Sequence, residues 1–254
     1  MRRLNRINHS YFNSIDTEYK AYILGFIYAD GCIVDNDLKR QKSLRIAIQY
    51  EDGYILQQLL DDIVPGRIIR KRYPPAAIKA GEKPQAVVSI NSNELCESLI
   101  KLGCIINKTK LGLNMPSIPE HLQNHFVRGF FDGDGCITVN TVKNRYQRIK
   151  TYKISNPFKI KLRKRIIFTS TDKQFLNDII ILTGIKFNGT VQCRSVIRTL
   201  EIHKVSIEHQ LDIPLMQNYM YNNASVYLCR KFDKFNMTIK SQAESKLSEG
   251  VETT

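Results

Sequence analysis

Two short runs of the chain have the pattern of apolar, buried helices. One run extends from Ile23 to Gly31 and the other from Val127 to Gly135, and both close on the dipeptide Asp-Gly. Small residues lie four positions apart in each run, so that they share one face of a helix. This pattern predicts two helices that each carry a smooth stripe, formed by Gly25 with Ala29 and by Gly129 with Gly133.

Stripes of small residues allow two helices to pack backbone against backbone, closer than the roughly 8 to 10 Å between the axes of most helix pairs. Parallel packing would bring together Asp30 and Asp134, the acidic residues at the ends of the two runs. We expect Gly31 and Gly135 to end the helices in the left-handed conformation, which other residues resist. A simpler interpretation is that each Asp-Gly only terminates a core helix, and the identical spacing in both copies argues against it.

Two carboxylates at helix C-termini form an unfavourable arrangement. The C-terminus of a helix carries a partial negative charge, and carboxylates at short range repel and raise one another's pKa. A metal ion or another cationic group would remove both penalties, and hard carboxylate oxygens suit Mg²⁺, which also accepts phosphate oxygens from a substrate. The motifs therefore predict a divalent metal site between Asp30 and Asp134.

The same order of elements follows each motif helix. In the first half, residue patterns predict a strand after Gly31, helices at 54–60 and 94–102, and strands at 44–50, 67–73 and 85–91. In the second half they predict strands at 166–172, 189–195 and 198–203 and helices at 175–182, 207–211 and 223–235. These elements make two αββαββα units. Asp16 or Thr17 is predicted to cap the first motif helix, and a capping box from Ser117 to Glu120 the second.

A basic insertion distinguishes the two halves. Asp134 lies 104 residues after Asp30, whereas Ile166 lies 120 residues after its counterpart Ile46, so sixteen residues are added before this strand. The surrounding segment, 143–165, contains ten Lys or Arg residues and no acid. We expect an extended hairpin that follows a phosphate backbone, where cations release counterions and add affinity. Its predicted contacts are Arg145, Arg148 and Lys150.

The charge balance of the whole chain favours a nucleic-acid partner. Among 254 residues, 38 are Lys or Arg and 24 are Asp or Glu, which gives a formal net charge of +14. A membrane partner is not expected, because the sequence has no run of about 18 apolar residues and no signal-peptide pattern, and we expect a soluble, intracellular protein. Six cysteines without a Cys-x-x-Cys pair signal neither a zinc site nor a disulfide framework.

These features divide the chain into four predicted parts. Residues 1–13 form a basic N-terminal arm, and residues 14–115 form the first half-domain. Residues 116–236 form the second half-domain, with the insertion at 143–165. The remaining segment, 237–254, is a polar tail without aromatic residues, a composition that predicts disorder. Duplication favours two half-domains that share one core.

The two runs resemble the LAGLIDADG motif, and the chain resembles a single-chain, two-motif LAGLIDADG homing endonuclease over residues 11–236. One departure is at the sixth motif position, where the copies have Tyr28 and Asp132. The resemblance implies an α+β fold of two pseudo-symmetric half-domains, whose curved antiparallel sheets form a saddle for DNA. It also implies that the eighth motif position, Asp30 and Asp134, is the catalytic, metal-binding acid, beside the backbone carbonyls of Ala29 and Gly133.

The family usually has a lysine near each scissile phosphate. The resemblance assigns this role to Lys108 in the first half and to Lys231 in the second, with Arg230 as the alternative to Lys231. Matched strand ends carry Asp52 and Asp172, which resemble the position of a polar residue that orients metal-bound water. Capping of the following helix is an equal alternative for both acids.

Polar and basic side chains on the predicted strands are candidates for contact with DNA. Strand alternation selects Arg45, Gln49, Gln192, Arg194 and Glu201 as base readers in the major groove, against the alternative that half of any surface strand is polar. The basic strand at 67–73 adds Arg67, Arg70 and Arg72.

The sequence therefore predicts a site-specific, Mg²⁺-dependent endonuclease that cleaves both strands of DNA, with metal ions between Asp30 and Asp134. Because one chain supplies both halves, we expect a monomer that binds a long, asymmetric site on double-stranded DNA. The alternative is a protein that does not cleave, either a maturase that binds intron RNA and assists splicing or a DNA-binding regulator on the same scaffold.

Overall fold

The computed structural model describes residues 7–73, 83–106, 112–145, 158–197 and 200–238. The first half contains α1 (Glu18–Asp30), β1 (Gly31–Asn36), β2 (Gln41–Gln49), α2 (Tyr54–Ile63), β3 (Arg70–Arg72), β4 (Gln85–Asn91) and α3 (Asn93–Lys101). The second half contains α4 (Glu120–Asp134), β5 (Cys136–Arg145), β6 (Phe158–Ser170), α5 (Lys173–Thr183), β7 (Asn188–Ile197), β8 (Leu200–Ile207), α6 (Asp212–Tyr221) and α7 (Cys229–Asn236). Within these ranges, no helix is long and apolar enough to cross a membrane.

Each half forms one four-stranded antiparallel sheet. The strand orders are β1-β2-β4-β3 and β5-β6-β8-β7, so the two halves share one topology and the predicted α+β fold is confirmed. Alternation along the strands places apolar side chains such as Leu44, Ile46, Ile166 and Phe168 against the helices, where they are almost fully buried. The opposite side of each sheet, which we call the outer face, is turned away from this core.

Two predicted helices near the C-terminus were wrong in extent. Residue Ile207 is the buried last residue of β8, residues 208–211 are neither strand nor helix, and α6 begins only at Asp212. Of the helix expected at 223–235, only Cys229–Asn236 is helical. In the segment before α7, the backbone N–H groups of Ser225 and Leu228 donate to carboxylates from the motif helices, and these long-range bonds replace a helical ladder.

The motif helices α1 and α4 pack backbone against backbone. A Cβ atom built on Gly25 would lie 2.8 Å from the backbone nitrogen of Phe130, and one built on Gly129 would lie 3.0 Å from the backbone nitrogen of Phe26. The carbonyl oxygens of Phe126 and Tyr22 would be closer still. Only a residue without a Cβ fits at either position unless the backbones separate.

The glycines that follow the motif helices do not adopt the expected left-handed conformation. Gly31 has φ −77° and Gly135 has φ −78°, so both are extended. Their requirement for glycine is steric. A Cβ on Gly31 would lie 2.7 Å from the carbonyl oxygen of Ile27, and one on Gly135 would lie 2.5 Å from that of Phe131, because each chain turns sharply against its own helix.

The two motif helices begin differently. The Thr17 side chain accepts a hydrogen bond from the backbone nitrogen of Lys20 at 3.2 Å, which fulfils the prediction for α1. The capping box predicted for α4 was wrong, since Pro119 occupies the N-cap position and no side chain caps that end. Ser117 therefore lies two residues before the cap, out of register with the first free N–H groups.

The N-terminal residues within the structure belong to the first half and do not form an arm. Tyr11 and Phe12 are buried in the core. The backbone nitrogen of Asn8 donates to the carbonyl oxygen of Ile63 at 2.8 Å, and Nδ1 of His9 lies 2.7 Å from Oγ of Ser92. Of the predicted arm, residues 1–6 lie outside the described ranges, as do residues 239–254 of the predicted polar tail.

The first testable prediction concerns the helix contact. Gly129→Leu should lower the free energy of unfolding by about 1 to 3 kcal/mol or more, because the side chain would overpack against the Tyr22 backbone, which cannot rotate aside. Gly129→Ala should also destabilise the protein, although alanine in an exposed helix gains about 1 kcal/mol over glycine. Chemical denaturation measures both changes.

The matched control is His121→Leu, which places the same side chain on an exposed position of the same helix. It should change the free energy of unfolding by no more than about 0.5 kcal/mol. A stabilising Gly129→Ala substitution would show that α1 and α4 are not in backbone contact.

Candidate active site

The helix contact brings the ends of α1 and α4 together. Asp30 and Asp134 are the last residues of these helices, and both are exposed. A Cβ on Gly133 would meet the Ala29 side chain and would lie 3.2 Å from Oδ2 of Asp30, so the absence of a side chain at position 133 makes room for this carboxylate. Exposed carboxylates at two adjoining helix C-termini form a hard, oxygen-rich donor set that fits a divalent cation such as Mg²⁺.

A polar cleft of about 520 Å³ opens beside the first motif aspartate. Both halves of the chain contribute to its wall. The polar residues that line it include Asp30, Gln49, Asp52, Lys83, Gln85 and Arg230. Asp30 and the basic residue of the C-terminal helix therefore face one cleft.

Arg230 is held in this cleft by Asp52. The guanidinium Nε donates to Oδ2 of Asp52 at 2.8 Å, across the boundary between the two halves. The Asp52 side chain is 8% exposed, whereas the Arg230 side chain remains 48% exposed. This pairing fixes one edge of the guanidinium and leaves the rest directed at solvent in the cleft.

Lys231, the next residue, points into the protein. Its ammonium group donates to the backbone carbonyl oxygens of Phe131 and Asp132, both at 2.7 Å, and of Gly135 at 2.6 Å. Carbonyls in the last turn of a helix lack partners within the helix, so Lys231 caps α4 from another element. The Nζ atom also lies 3.3 Å from the carbonyl oxygen of Gly133, which the resemblance makes a metal ligand.

Burial has a strong effect on the Lys231 side chain. The residue is only 6% exposed. Burial lowers the pKa of its ammonium group to about 8, although the nearby charges of Asp132 and Asp30 act in the opposite direction. Lys108, the corresponding prediction for the first half, lies outside the described residues.

Asp132, at the sixth motif position, is an anchor that our sequence reasoning left without a role. Its buried carboxylate accepts hydrogen bonds from Tyr22 Oη at 2.9 Å, from Tyr221 Oη at 3.3 Å and from the backbone nitrogen of Leu228 at 2.8 Å. Burial raises the pKa of Asp132 to about 6, against the lowering effect of the Leu228 N–H and of Lys231. A lone acid within a buried apolar run was the available sequence signal.

The first motif copy uses its sixth position in a comparable way. The Tyr28 hydroxyl donates to the carbonyl oxygens of Leu102 at 2.5 Å and of Asn114 at 2.9 Å. Both acceptors lie in the segment that leaves the first half. In each copy the residue at the sixth position therefore binds the last segment of its own half. Tyr28 does so with a neutral hydroxyl and Asp132 with a carboxylate.

Arg128 and Glu18 form a second buried link that sequence reasoning missed. Arg128 has no exposed surface, and its Nη2 atom donates to Oε1 of Glu18 at 2.7 Å. Its other nitrogens donate to the carbonyl oxygens of Met220 and Val226, at 2.7 and 2.9 Å. The backbone nitrogen and the hydroxyl of Ser225 also donate to Glu18, so one cluster binds both motif helices and the C-terminal segment.

The electrostatics of this cluster depend on those partners. Burial by itself raises the pKa of the Glu18 carboxyl, but the hydrogen bonds from Ser225 and the charge of Arg128 outweigh it and leave the pKa lowered. Burial lowers the pKa of the Arg128 guanidinium. Glu18 also lies in the first turn of α1, where a carboxylate complements the helix dipole, a role that uses none of these contacts.

The two matched acids, Asp52 and Asp172, have different neighbours. Asp172 caps α5, with Oδ1 accepting from the backbone nitrogen of Phe175 at 3.0 Å, so the capping alternative applies here. Its Oδ2 atom accepts from the backbone nitrogen of Leu113 at 2.8 Å, in the segment between the halves. Asp52 is no cap, because Gly53 precedes α2 and no side chain caps that helix.

The outer face of the first sheet carries most of the predicted contacts in that half. Strand register places Arg45, Gln49, Arg70 and Arg72 on this face, and all four are exposed. The Nη2 atom of Arg72 donates to Oε1 of Gln85 on the neighbouring strand at 3.0 Å. Arg67 precedes β3 and is partly exposed.

In the second sheet, the basic insertion lengthens β5 and β6 into a hairpin whose described ladder ends at the pair Arg145–Phe158. The described part of this ladder agrees with the extended hairpin predicted from the sequence. The residues of the insertion that share the outer face are Lys161, Arg163 and Arg165. Of the contacts predicted here, only the backbone of Arg145 is described, and Arg148 and Lys150 lie outside the described residues.

The hairpin formed by β7 and β8 does not place the predicted base readers of the second sheet on one face. Gln192 is exposed and pairs with Lys204 on the outer face. Arg194 lies in the irregular stretch between Cys193 and Ser195. Glu201 belongs to the opposite face, because it is two residues from the buried His203 on the same strand, and our assignment of Glu201 as a base reader is corrected on this ground.

Two comparisons with known proteins identify the fold. Residues 127–238 match the family model described as LAGLIDADG endonuclease. The LAGLIDADG meganuclease I-AabMI, solved bound to uncleaved DNA, matches with a TM-score of 0.53 and 12% identity over 92% of each chain. I-CpaMI, also bound to uncleaved DNA, matches with a TM-score of 0.52 and 14% identity over 94% of this chain and 95% of its own. No curated protein sequence matches the chain.

Two four-stranded antiparallel sheets and two closely packed motif helices thus define a LAGLIDADG fold. The resemblance seen in the sequence is confirmed: residues 127–238 match the LAGLIDADG endonuclease family model, and the chain as a whole has the fold of the single-chain LAGLIDADG meganucleases.

The second prediction tests the structural role of Lys231. Lys231→Met keeps the apolar stem but removes the ammonium group, so the last carbonyls of α4 and the Asp132 carboxylate lose a charged partner. We expect the free energy of unfolding to fall by about 1.5 to 3 kcal/mol or more. Chemical denaturation of the variant measures this loss.

Lys234→Met is the matched control, since Lys234 is exposed on the same helix. The control should change the free energy of unfolding by about 0.5 kcal/mol or less. Equal, small effects of the two substitutions would contradict the capping role.

Proposed function

We propose that this protein is a site-specific endonuclease that cleaves both strands of DNA. The observation that carries the proposal is the junction of the α1 and α4 C-termini, where Asp30 and Asp134 are both exposed and Asp30 lines a polar cleft. Both sheets attach directly to this junction, since β1 and β5 follow the motif helices without a loop. The family match of the second half and the DNA-bound structures of proteins with this fold support the same function.

Asp30 and Asp134 would hold Mg²⁺ in this proposal, together with the backbone carbonyls of Ala29 and Gly133. A divalent cation, when bound, supplies an activated water and stabilises charge on the phosphate and on the leaving oxygen. The protein contributes the fixed positions of the two carboxylates. The contact of α1 with α4 sets these positions, and Lys231 secures the end of α4 on which Asp134 lies.

Arg230 is our proposed phosphate ligand on the side of the cleft that contains Asp30. A guanidinium presents several N–H donors in a plane that matches phosphate oxygens. Asp52 uses Nε alone, so the terminal nitrogens are directed at solvent. Lys231, which we expected in this role, is committed to helix carbonyls and acts as a positioning residue. Lys108 remains our proposal for the basic group contributed by the first half.

The outer faces of the two sheets form the proposed DNA surface. Arginine and lysine side chains on this surface would neutralise phosphates, while Gln49, Gln192 and Arg45 could form hydrogen bonds with base edges in the major groove. The two outer faces differ in sequence, so a single chain would recognise an asymmetric site. We propose that the protein acts as a monomer, because both halves of the site come from one chain.

The third prediction tests the catalytic acids. Asp30→Asn and Asp134→Asn should each abolish double-strand cleavage, because each removes one carboxylate ligand from the metal site. Binding of DNA should persist, since the outer faces are unchanged. Cleavage is measured with Mg²⁺ on a duplex library with a long randomised region, from which cut molecules are recovered and sequenced. Binding to the selected site is then measured with Ca²⁺ in place of Mg²⁺.

Asp61→Asn, at an exposed position of α2, is the control and should cleave at the parent rate. Parent-level cleavage by either motif variant would refute the assignment of these acids. If the parent protein binds DNA and does not cut any member of the library, the regulator alternative replaces our proposal. Preferential binding of structured RNA would instead favour the maturase.

The fourth prediction tests the outer faces and does not require a known target. Neutralisation of three exposed cations, Arg70→Gln, Arg72→Gln and Lys161→Gln, should reduce the slope of log affinity against log salt by about 0.9 per lost contact, or about 2.7 in total. Affinity should fall equally on unrelated duplexes, because phosphate contacts do not specify sequence. Fluorescence anisotropy over a range of salt concentrations gives this slope.

A matched triple variant removes the same charge from exposed helix positions: Lys101→Gln, Lys173→Gln and Lys234→Gln. It preserves the overall charge of the test variant but leaves the outer faces intact. Equal slopes for the two triple variants would mean that DNA responds to net charge and does not lie on the sheets.

A further inference from the structure

Three potential metal ligands lie close together on the hairpin formed by β7 and β8. Cys193 of β7 and Glu201 and His203 of β8 place one ligand atom each within 4.8 Å of one another. They lie on the side of the hairpin opposite the outer face, away from Gln192 and Lys204. The cluster therefore lies off the proposed DNA surface, and neither motif aspartate belongs to it.

The strand register explains this convergence. Cys193 and His203 are directly opposite each other in the antiparallel ladder, where Cβ atoms lie about 4.5 to 5.5 Å apart. Glu201 precedes His203 by two residues and so projects from the same face of β8. Two alternate residues of one strand and a cross-strand neighbour form a triangle of side chains around a common point.

His203 has unused capacity for coordination. The residue is 9% exposed, and its Nδ1 atom is buried without a hydrogen-bond partner in the described part of the chain. The Nε2 atom lies 3.4 Å from Oε2 of Glu201. Nε2 is thus the ring atom that faces Glu201, and a metal ion bound there would leave the proton of the neutral imidazole on Nδ1. Cys193 and Glu201 are exposed, so an ion can reach the cluster from solvent.

We propose that Cys193, Glu201 and His203 form a binding site for Zn²⁺. Thiolate sulfur, imidazole nitrogen and carboxylate oxygen are the three ligand types that zinc binds in proteins, and three protein ligands leave a fourth position for water. Mg²⁺ prefers sites built only from oxygen, so the mixed donor set distinguishes this site from the motif aspartates. Binding would release the thiol proton of Cys193 to solvent, because the thiolate is the ligand.

The position of the site suggests what the metal does. It joins β7 to β8 beside the register shift between Cys193 and Ser195, one of two interruptions described in this ladder. A metal bridge at this point would hold the strands in register and stiffen the opposite surface, which carries Gln192 and Lys204. The zinc site does not rest on the proposed endonuclease function, and its test requires no cleavage assay.

The test uses Co²⁺ as a spectroscopic substitute for Zn²⁺ in the full chain. We expect one equivalent of Co²⁺ to produce a thiolate-to-cobalt charge-transfer band, and one equivalent of Zn²⁺ to remove it. Zn²⁺ should also raise the melting temperature. Cys193→Ser should abolish the band and weaken Zn²⁺ affinity by more than the about 10- to 100-fold that loss of an outer-sphere partner costs.

Two further variants keep the result interpretable. Cys229→Ser removes another exposed cysteine and should preserve the band and the affinity. Glu201→Gln, at an exposed position where folding is not at risk, should weaken Zn²⁺ binding and shift the visible cobalt spectrum. Absence of the charge-transfer band in the parent protein, or its persistence in Cys193→Ser, would overturn the proposal. Loss of Co²⁺ binding in Asp30→Asn with retention in Cys193→Ser would assign the ion to the motif aspartates instead.

Discussion

The contact between the backbones of α1 and α4 is the constraint on which the rest of the molecule depends. Gly25 and Gly129 let each helix lie against backbone atoms of the other, so the separation and register of the pair are set by covalent geometry and not by flexible side chains. Asp30 and Asp134 meet because they end these two helices. The strands that follow each helix without a loop attach both sheets directly to this junction.

This contact creates electrostatic costs that the C-terminal segment offsets. The α4 helix ends in carbonyl groups without helical partners, and it carries Arg128 and Asp132 into the core. Lys231 binds the carbonyls, Glu18 neutralises Arg128, and the Leu228 N–H donates to Asp132. A buried ionic network of this kind is weak evidence for high stability, since desolvation opposes it. Its hydrogen bonds join the two motif helices to the last segment of the chain.

The two halves share a topology, but residues at matched positions form different polar interactions. Tyr28 binds the end of the first half with a neutral hydroxyl, whereas Asp132 binds the end of the second half with a carboxylate. Asp52 and Asp172 occupy matched positions and yet serve as an arginine partner and as a helix cap. The halves are therefore symmetric in backbone and asymmetric in chemistry, which is the property that an asymmetric target would require.

The sequence by itself determined the features that depend on local periodicity: the two motif helices, their small-residue stripes, the alternating strands and the basic outer faces. Only the tertiary structure decided features that depend on which distant groups become neighbours. Arg230 and Lys231 are adjacent in sequence and indistinguishable in charge, but one lies in the cleft and the other beneath α4. Glu201 lies on the face of the sheet opposite to the predicted one, and Ile207, where a helix was expected, is the buried end of a strand. Cys193 and His203 are neighbours only because β7 and β8 pair. Side-chain direction and burial arise from packing between elements, and a linear pattern contains no record of that packing.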